Sequence, residues 1–139
     1  MDESSEGISA VVSTRIARED DVYRAVSLVA YMIKDGAFSE SDNQSIFISI
    51  MEVCRNVVDH AFGSGYLVCD LDERGFTFQC TDKGPGIHDL GKVLAGSYES
   101  SRGLGVGLAS VNRLMDDLRI NTSDEGTEVF GIKRERRRR

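Results

Sequence analysis

The stretch YLVCDLDERGFTFQCTDKGPGI, residues 66–87, decides the architecture. Tyr66 to Asp72 and Phe76 to Thr81 alternate apolar and polar residues, the period of strands that bury one face. The DERG between them favours a turn, so the two segments read as a hairpin. Directly after the second strand comes Asp82-Lys-Gly84-Pro-Gly86, a loop that holds the chain's only proline. A hairpin with one apolar face needs a second layer over that face.

The flanking sequence supplies that layer. Residues 8–16, ISAVVSTRI, are rich in β-branched residues and read as a strand. From Arg18 to Lys34, Val22, Ala25, Val26, Val29, Ala30 and Ile33 recur at the helical period, with Asp20 and Asp21 in the first turn and Gly36 as a stop. A second helix, capped by Ser39 or Ser41, runs to about Ala61 with Ile46, Ile50, Val53 and Val57 on one face. Gly63 and Gly65 end it. Downstream, a short helical stretch covers Leu90 to Leu94, and AGSYESSRGLGVG reads as a flexible segment. Leu108 to Leu118 reads as a third long helix, and Arg119–Thr122 and Glu128–Lys133 as two final strands around SDEGT. The fold class expected is an α+β two-layer sandwich, with a mixed, mostly antiparallel sheet covered on one face by helices.

The chain has 139 residues, 40% hydrophobic and 29% charged, a globular composition for one domain. That domain is expected over residues 1–133. The net charge is −6, but the segment from Lys133 to Arg139 carries six basic residues and one acid. The body is therefore strongly acidic, which argues against nucleic-acid binding. The basic end, 134–139, reads as a disordered solvated tail, although it could touch an acidic partner or RNA. No apolar run approaches the ~20 residues that span a bilayer, and the acidic N-terminus shows no secretory signal. Cys54, Cys69 and Cys80 are odd in number and lack CxxC spacing, so reduced thiols and a cytoplasmic location are expected. Cys54 and Cys80 read as core, and Cys69 could face either side. Phe47, Phe62, Phe76 and Phe78 read as core or sheet packing, and His88 as exposed.

Four short motifs carry chemistry. Glu52-Val-Cys-Arg-Asn56 puts a carboxylate and a carboxamide one turn apart on the second helix. The first can take a proton and the second can bind a hard cation. Many helices show this spacing by chance. Asp82-x-Gly84-x-Gly86 follows a strand; its glycines let a ligand approach the backbone and its acid can accept from an exocyclic amine, but an ordinary turn has the same form. Gly103-Leu-Gly105-Val-Gly107 precedes a helix and could form an anion site. Its spacing is GxGxG, with no βαβ unit around it and no GK[ST], so it is neither a dinucleotide fingerprint nor a P-loop. Gly126-Thr127 in the last turn says little alone.

The order of the four is informative. It resembles the N, G1, G2 and G3 boxes of the GHKL ATPase superfamily, which includes gyrase, Hsp90 chaperones, histidine kinases and MutL and has the Bergerat fold, the same sandwich. The resemblance spans nearly the whole chain. In size and boxes the chain looks like the small bacterial serine kinases that act on anti-sigma-factor antagonists, and most like the stressosome switch kinases. The resemblance implies Glu52 as general base, Asn56 as Mg²⁺ ligand and His60 on the same face with a less defined role. It implies Asp82 as the acid that binds adenine, with Gly84 and Gly86 shaping that pocket. Gly103, Gly105 and Gly107 become lid hinge and triphosphate cradle, and Thr127 holds the aspartate and its water. Arg102 departs from the usual small residue; it could reach the γ-phosphate or simply be exposed.

For activity, the resemblance implies an ATP- and Mg²⁺-dependent serine/threonine kinase in a bacterial stress or sigma-factor partner-switching pathway. Its substrate would be a STAS-domain protein, an anti-sigma-factor antagonist or stressosome scaffold. A downstream phosphatase or sigma-pathway regulator would be a further partner, with no nucleic acid and no membrane. The alternatives are an anti-sigma factor that sequesters a sigma factor and phosphorylates its antagonist, and a regulator that binds nucleotide without turnover.

Overall fold

A computed structural model describes residues 10–36, 38–95 and 104–135 of the chain. Strand β1 (Ala10–Ile16) leads into helices α1 (Glu19–Ile33) and α2 (Glu40–His60). The hairpin β2 (Gly65–Asp72) and β3 (Gly75–Asp82) follows, then the short helix α3 (Leu90–Ala95), helix α4 (Leu104–Leu114), and strands β4 (Asp117–Ser123) and β5 (Gly126–Arg134). The five strands form one sheet in the order β1-β2-β3-β5-β4. Every pairing is antiparallel, so the mixed sheet expected from the sequence becomes a wholly antiparallel one among the described residues. The α1–α2 hairpin is the reason: it returns the chain to β1 running the opposite way.

The helices cover one face. Val22, Ala25, Val29 and Ile33 of α1 and Ile46, Ile50, Val53 and Val57 of α2 are buried, as their spacing predicts. They meet the inward residues Leu67 and Cys69 of β2 and Phe76, Phe78 and Cys80 of β3 in one core. Cys69 thus faces inward, and all three cysteines are buried free thiols. The Cys80 thiol is pushed up by its hydrogen bond to Cys54 and by burial, and the Cys69 thiol by burial, so neither supplies a thiolate.

Several details differ from what the sequence predicts. Helix α4 begins at Leu104, not Leu108, and ends at Leu114, not Leu118; β4 takes over at Asp117. Packing against α2 overrides the poor helix propensity of Gly105 and Gly107. The segment 96–103 lies outside the described residues, so only Ala95 and 104–107 of the expected flexible stretch are described, and both parts are helical. Phe62 is 85% exposed rather than packed. It occupies the left-handed position, φ 60°, of the turn that ends α2. There the Gly63 N–H closes the helix by donating to the Val57 carbonyl at 3.0 Å. His88 is exposed, as expected. Strand β5 runs one residue past Lys133, where the Arg134 N–H donates to Asp116 Oδ2 at 2.7 Å. Residues 136–139 of the expected tail lie outside the described ones. No helix among the described residues is long and apolar enough to cross a membrane.

Candidate nucleotide site

Helix α2 displays Glu52, Asn56 and His60 at successive turns, and the buried Val53 and Val57 beside them fix that face toward the sheet. Asn56 and His60 line a cavity together with Asp82, Gly86 and Thr127. Residues from three separated motifs thus share one concavity. Its floor is apolar, with Val57, Cys80, Leu108 and Val129. A few convergent polar groups over such a floor suit a flat heterocycle.

Asp82 is held by backbone. Its Oδ1 accepts the Gly84 N–H at 2.9 Å and the Thr127 N–H at 3.3 Å. The second bond exists because β3 and β5 pair Asp82 with Thr127. Two N–H donors on one carboxylate oxygen leave Oδ2 available. The Thr127 and Thr122 hydroxyls lie 2.8 Å apart, and Thr122 Oγ1 also accepts the Ile87 N–H at 2.9 Å. Thr122 therefore ties the DKGPGI loop to the β4–β5 hairpin. Gly86 has φ +90°, and a Cβ there would sit 2.2 Å from the Ser123 carbonyl, so only glycine fits.

Glu52 is half-buried beside the cavity, outside its lining. A Cβ on Gly107 would lie 2.6 Å from Glu52 Oε1 and 3.9 Å from Asn56 Oδ1. The start of α4 thus rests directly on the two functional groups of α2. The helix dipole and first-turn N–H groups of such an end favour an anion. Gly105 lies in the same first turn of α4; Arg102 and Gly103 lie outside the described residues.

Sequence reasoning missed Thr122, whose role comes from its register partner, Thr127. It also missed Ser64, whose Oγ accepts the Lys83 N–H at 3.0 Å and donates to the Ala61 carbonyl at 2.7 Å, linking the end of α2 to the Asp82 loop. Neither carries a local signal beyond an ordinary turn or strand hydroxyl.

Residues 16–133 match the family described as histidine kinase-like ATPase domain. The chain belongs to that family. Among the ATPase-domain proteins, it is 37% identical over 124 residues to the serine/threonine-protein kinase RsbT of Bacillus subtilis strain 168, covering 86% of this chain and 92% of that one. It is 32% identical over 108 residues to the serine-protein kinase RsbW of Bacillus thuringiensis strain Al Hakam, covering 69% and 66%. The fold is shared with part of the structure of the RsbU and RsbW domains of Rv1364c from Mycobacterium tuberculosis, at a TM-score of 0.68 and 16% identity, over 93% of this chain and 33% of that one. The present chain spans about a third of that solved chain.

A divalent cation fits the donor set. Among the described residues no three His, Cys, Asp or Glu side chains form a metal cage. A magnesium ion held between a triphosphate and one or two protein oxygens needs none. Asn56 Oδ1 lies beside the start of α4 and would be such an oxygen.

Proposed function

We propose that this chain is an ATP- and Mg²⁺-dependent serine/threonine protein kinase whose substrate is a STAS-domain protein of a partner-switching pathway. The observation that carries the reading is the contact of Glu52 and Asn56 with the start of α4, at the edge of a cavity that also holds Asp82. The kinship to RsbT and RsbW supports it. The STAS partner rests on that family resemblance.

Asp82 Oδ2 accepts from the adenine amine, and its backbone-bound Oδ1 keeps the carboxylate from turning away. The apolar floor takes the purine face. The N-terminal N–H groups of α4 face the phosphates. Asn56 would hold the cation, which supplies charge neutralisation for the triphosphate. Glu52, one turn away and outside the base cavity, is placed to take the proton of an acceptor hydroxyl. The acceptor oxygen bonds to the γ-phosphorus, the bond to the β,γ-bridging oxygen breaks, and ADP leaves. Positioning and charge dominate such a transfer.

The test is Glu52→Gln, which keeps shape and removes the base. Phosphoryl transfer from labelled ATP should fall by ~10²–10⁴. ATP affinity on the same preparation should hold, because the base acts mainly in the transition state. Near-normal transfer would overturn the assignment of Glu52. Capture of a sigma factor, with no transfer to any STAS protein, would favour the sequestering alternative.

A further inference from the structure

We propose that the outer surface of α1 and α2 beside Glu52, formed by Tyr23, Ile48, Met51 and Arg55, is where the acceptor protein docks. The acceptor seats an apolar side chain on Ile48 while its hydroxyl reaches Glu52. The inference rests on the kinase reading and adds to it the side from which the substrate arrives.

An acceptor hydroxyl must come within about 2.6–3.2 Å of the base. Two directions to Glu52 are closed. Gly107 of α4 lies against Oε1, close enough that a Cβ there would be 2.6 Å away. Toward the sheet, Val53 and Ser49 are buried. Among the described residues, the open direction is the outward side of α2. Ile48 stands there one turn before Glu52 on the same side of the helix, with Met51 and Arg55 flanking it.

Ile48 is 41% exposed, on a helix that buries its other isoleucines, Ile46 and Ile50. A β-branched residue at a partly open helix position contributes less burial than a core residue and little propensity. The residues around it are already ordered. Arg55 donates to Glu19 Oε2 at 3.0 Å, and the Tyr23 hydroxyl donates to the same oxygen at 3.1 Å. Arg55 and Tyr23, 52% exposed, are thus held together across the two helices before any partner arrives. Tyrosine, methionine and arginine are enriched where proteins meet, and side chains fixed in advance lose less entropy on docking. The strip runs up to the reacting carboxylate, so a protein bound on it brings its own hydroxyl to the site.

The probes are the STAS-domain proteins of the source organism, purified and assayed singly. Wild type is compared with Ile48→Glu, with the milder Ile48→Ala, and with Tyr31→Glu. The last is a control at another exposed aromatic of α1, two turns from Tyr23. Three quantities are read: Kd for the STAS protein with a non-hydrolysable ATP analogue, KM and kcat for transfer, and ATP affinity. Ile48→Glu should raise Kd and KM for the protein by about tenfold or more, as loss of an anchoring contact does. ATP affinity should be unchanged. Ile48→Ala should shift both the same way by a smaller factor, and Tyr31→Glu should shift neither. Unchanged Kd and KM in both Ile48 variants would overturn the docking strip, as would an equal effect of Tyr31→Glu. A wild type that binds a STAS protein without phosphorylating it would overturn the kinase reading, and the Kd comparison would still judge the strip. A wild type that neither binds nor modifies any STAS protein would overturn both.

Discussion

Gly107 is the residue at which backbone and proposed chemistry meet. An alanine there would be the better helix former, by up to ~1 kcal/mol. Its Cβ would nevertheless lie 2.6 Å from Glu52 Oε1. The carboxylate is the far end of a flexible side chain, so it would yield and the fold would stand. Gly107→Ala should therefore unfold at a temperature no lower than wild type, while phosphoryl transfer falls by roughly 10²-fold, the effect of a displacement of about 1 Å in a catalytic group. Melting curves and labelled transfer on one preparation check this. A variant that loses stability and keeps its transfer rate would show that the glycine serves packing alone. At this scale the sequence is informative where geometry is local: Glu52, Asn56 and His60 share a helical face because of their spacing. It is silent on Thr122, since only the pairing of β4 with β5 brings that hydroxyl to Thr127.

Among the elements, the ends decide what can be read. Helix α2 starts where its cap predicts, with the Asp42 N–H donating to Ser39 Oγ at 3.0 Å. Helix α4 starts four residues before its apolar pattern does, because its first turn is stabilised by α2 and not by its own glycines. Phe62 departs from its expected packing for a similar reason: a turn that needs a left-handed residue has a phenylalanine there, and its side chain goes outward. Helix α1 offers a test. Asp21 Oδ2 accepts the Ala17 N–H at 2.8 Å and the Arg18 N–H at 3.0 Å, the acidic half of a capping box. Those two backbone donors hold the Asp21 carboxyl below its ordinary value of 3.8. The folded state thus favours the charged form. Its contribution is present above the ordinary carboxylate range and is lost as pH falls through the depressed folded value. Asp21→Ala should cost about 1 kcal/mol at pH 7, the usual worth of a cap. The gap to wild type should close as the pH is taken below 3.8. Urea denaturation at several pH values measures it, and a gap independent of pH would rule out the carboxylate as its source.

The whole molecule is a sheet with its helices on one side, and alternation along the strands announces that layering. What alternation does not announce is a charge among the inward positions. Lys133, on the covered face of β5, is 6% exposed. Its Nζ donates to the Leu114 carbonyl at 2.7 Å and lies 3.6 Å from Asp42 and 3.9 Å from Asp116. One side chain thus joins the end of α4, the start of α2 and the last strand. In the sequence it ends the last expected strand just before the basic tail, and nothing local distinguishes a lysine that points inward from the arginines after it. Lys133→Met would keep the buried stem and remove the charge. The Leu114 carbonyl would lose its donor and two carboxylates would lose a cation. Breaking a buried pair in this way costs about 3–5 kcal/mol. The low end is expected, since Asp116 keeps the Arg134 N–H at 2.7 Å. The urea midpoint should drop accordingly with an unchanged slope, the sign that stability and not compactness has altered. Nucleotide affinity should survive, because Thr127 and its partner Asp82 sit six residues away at the other end of β5. A midpoint within error of wild type would mean that the lysine only fills space. A loss of nucleotide affinity at full stability would mean that the helix layer and the site are coupled through this strand.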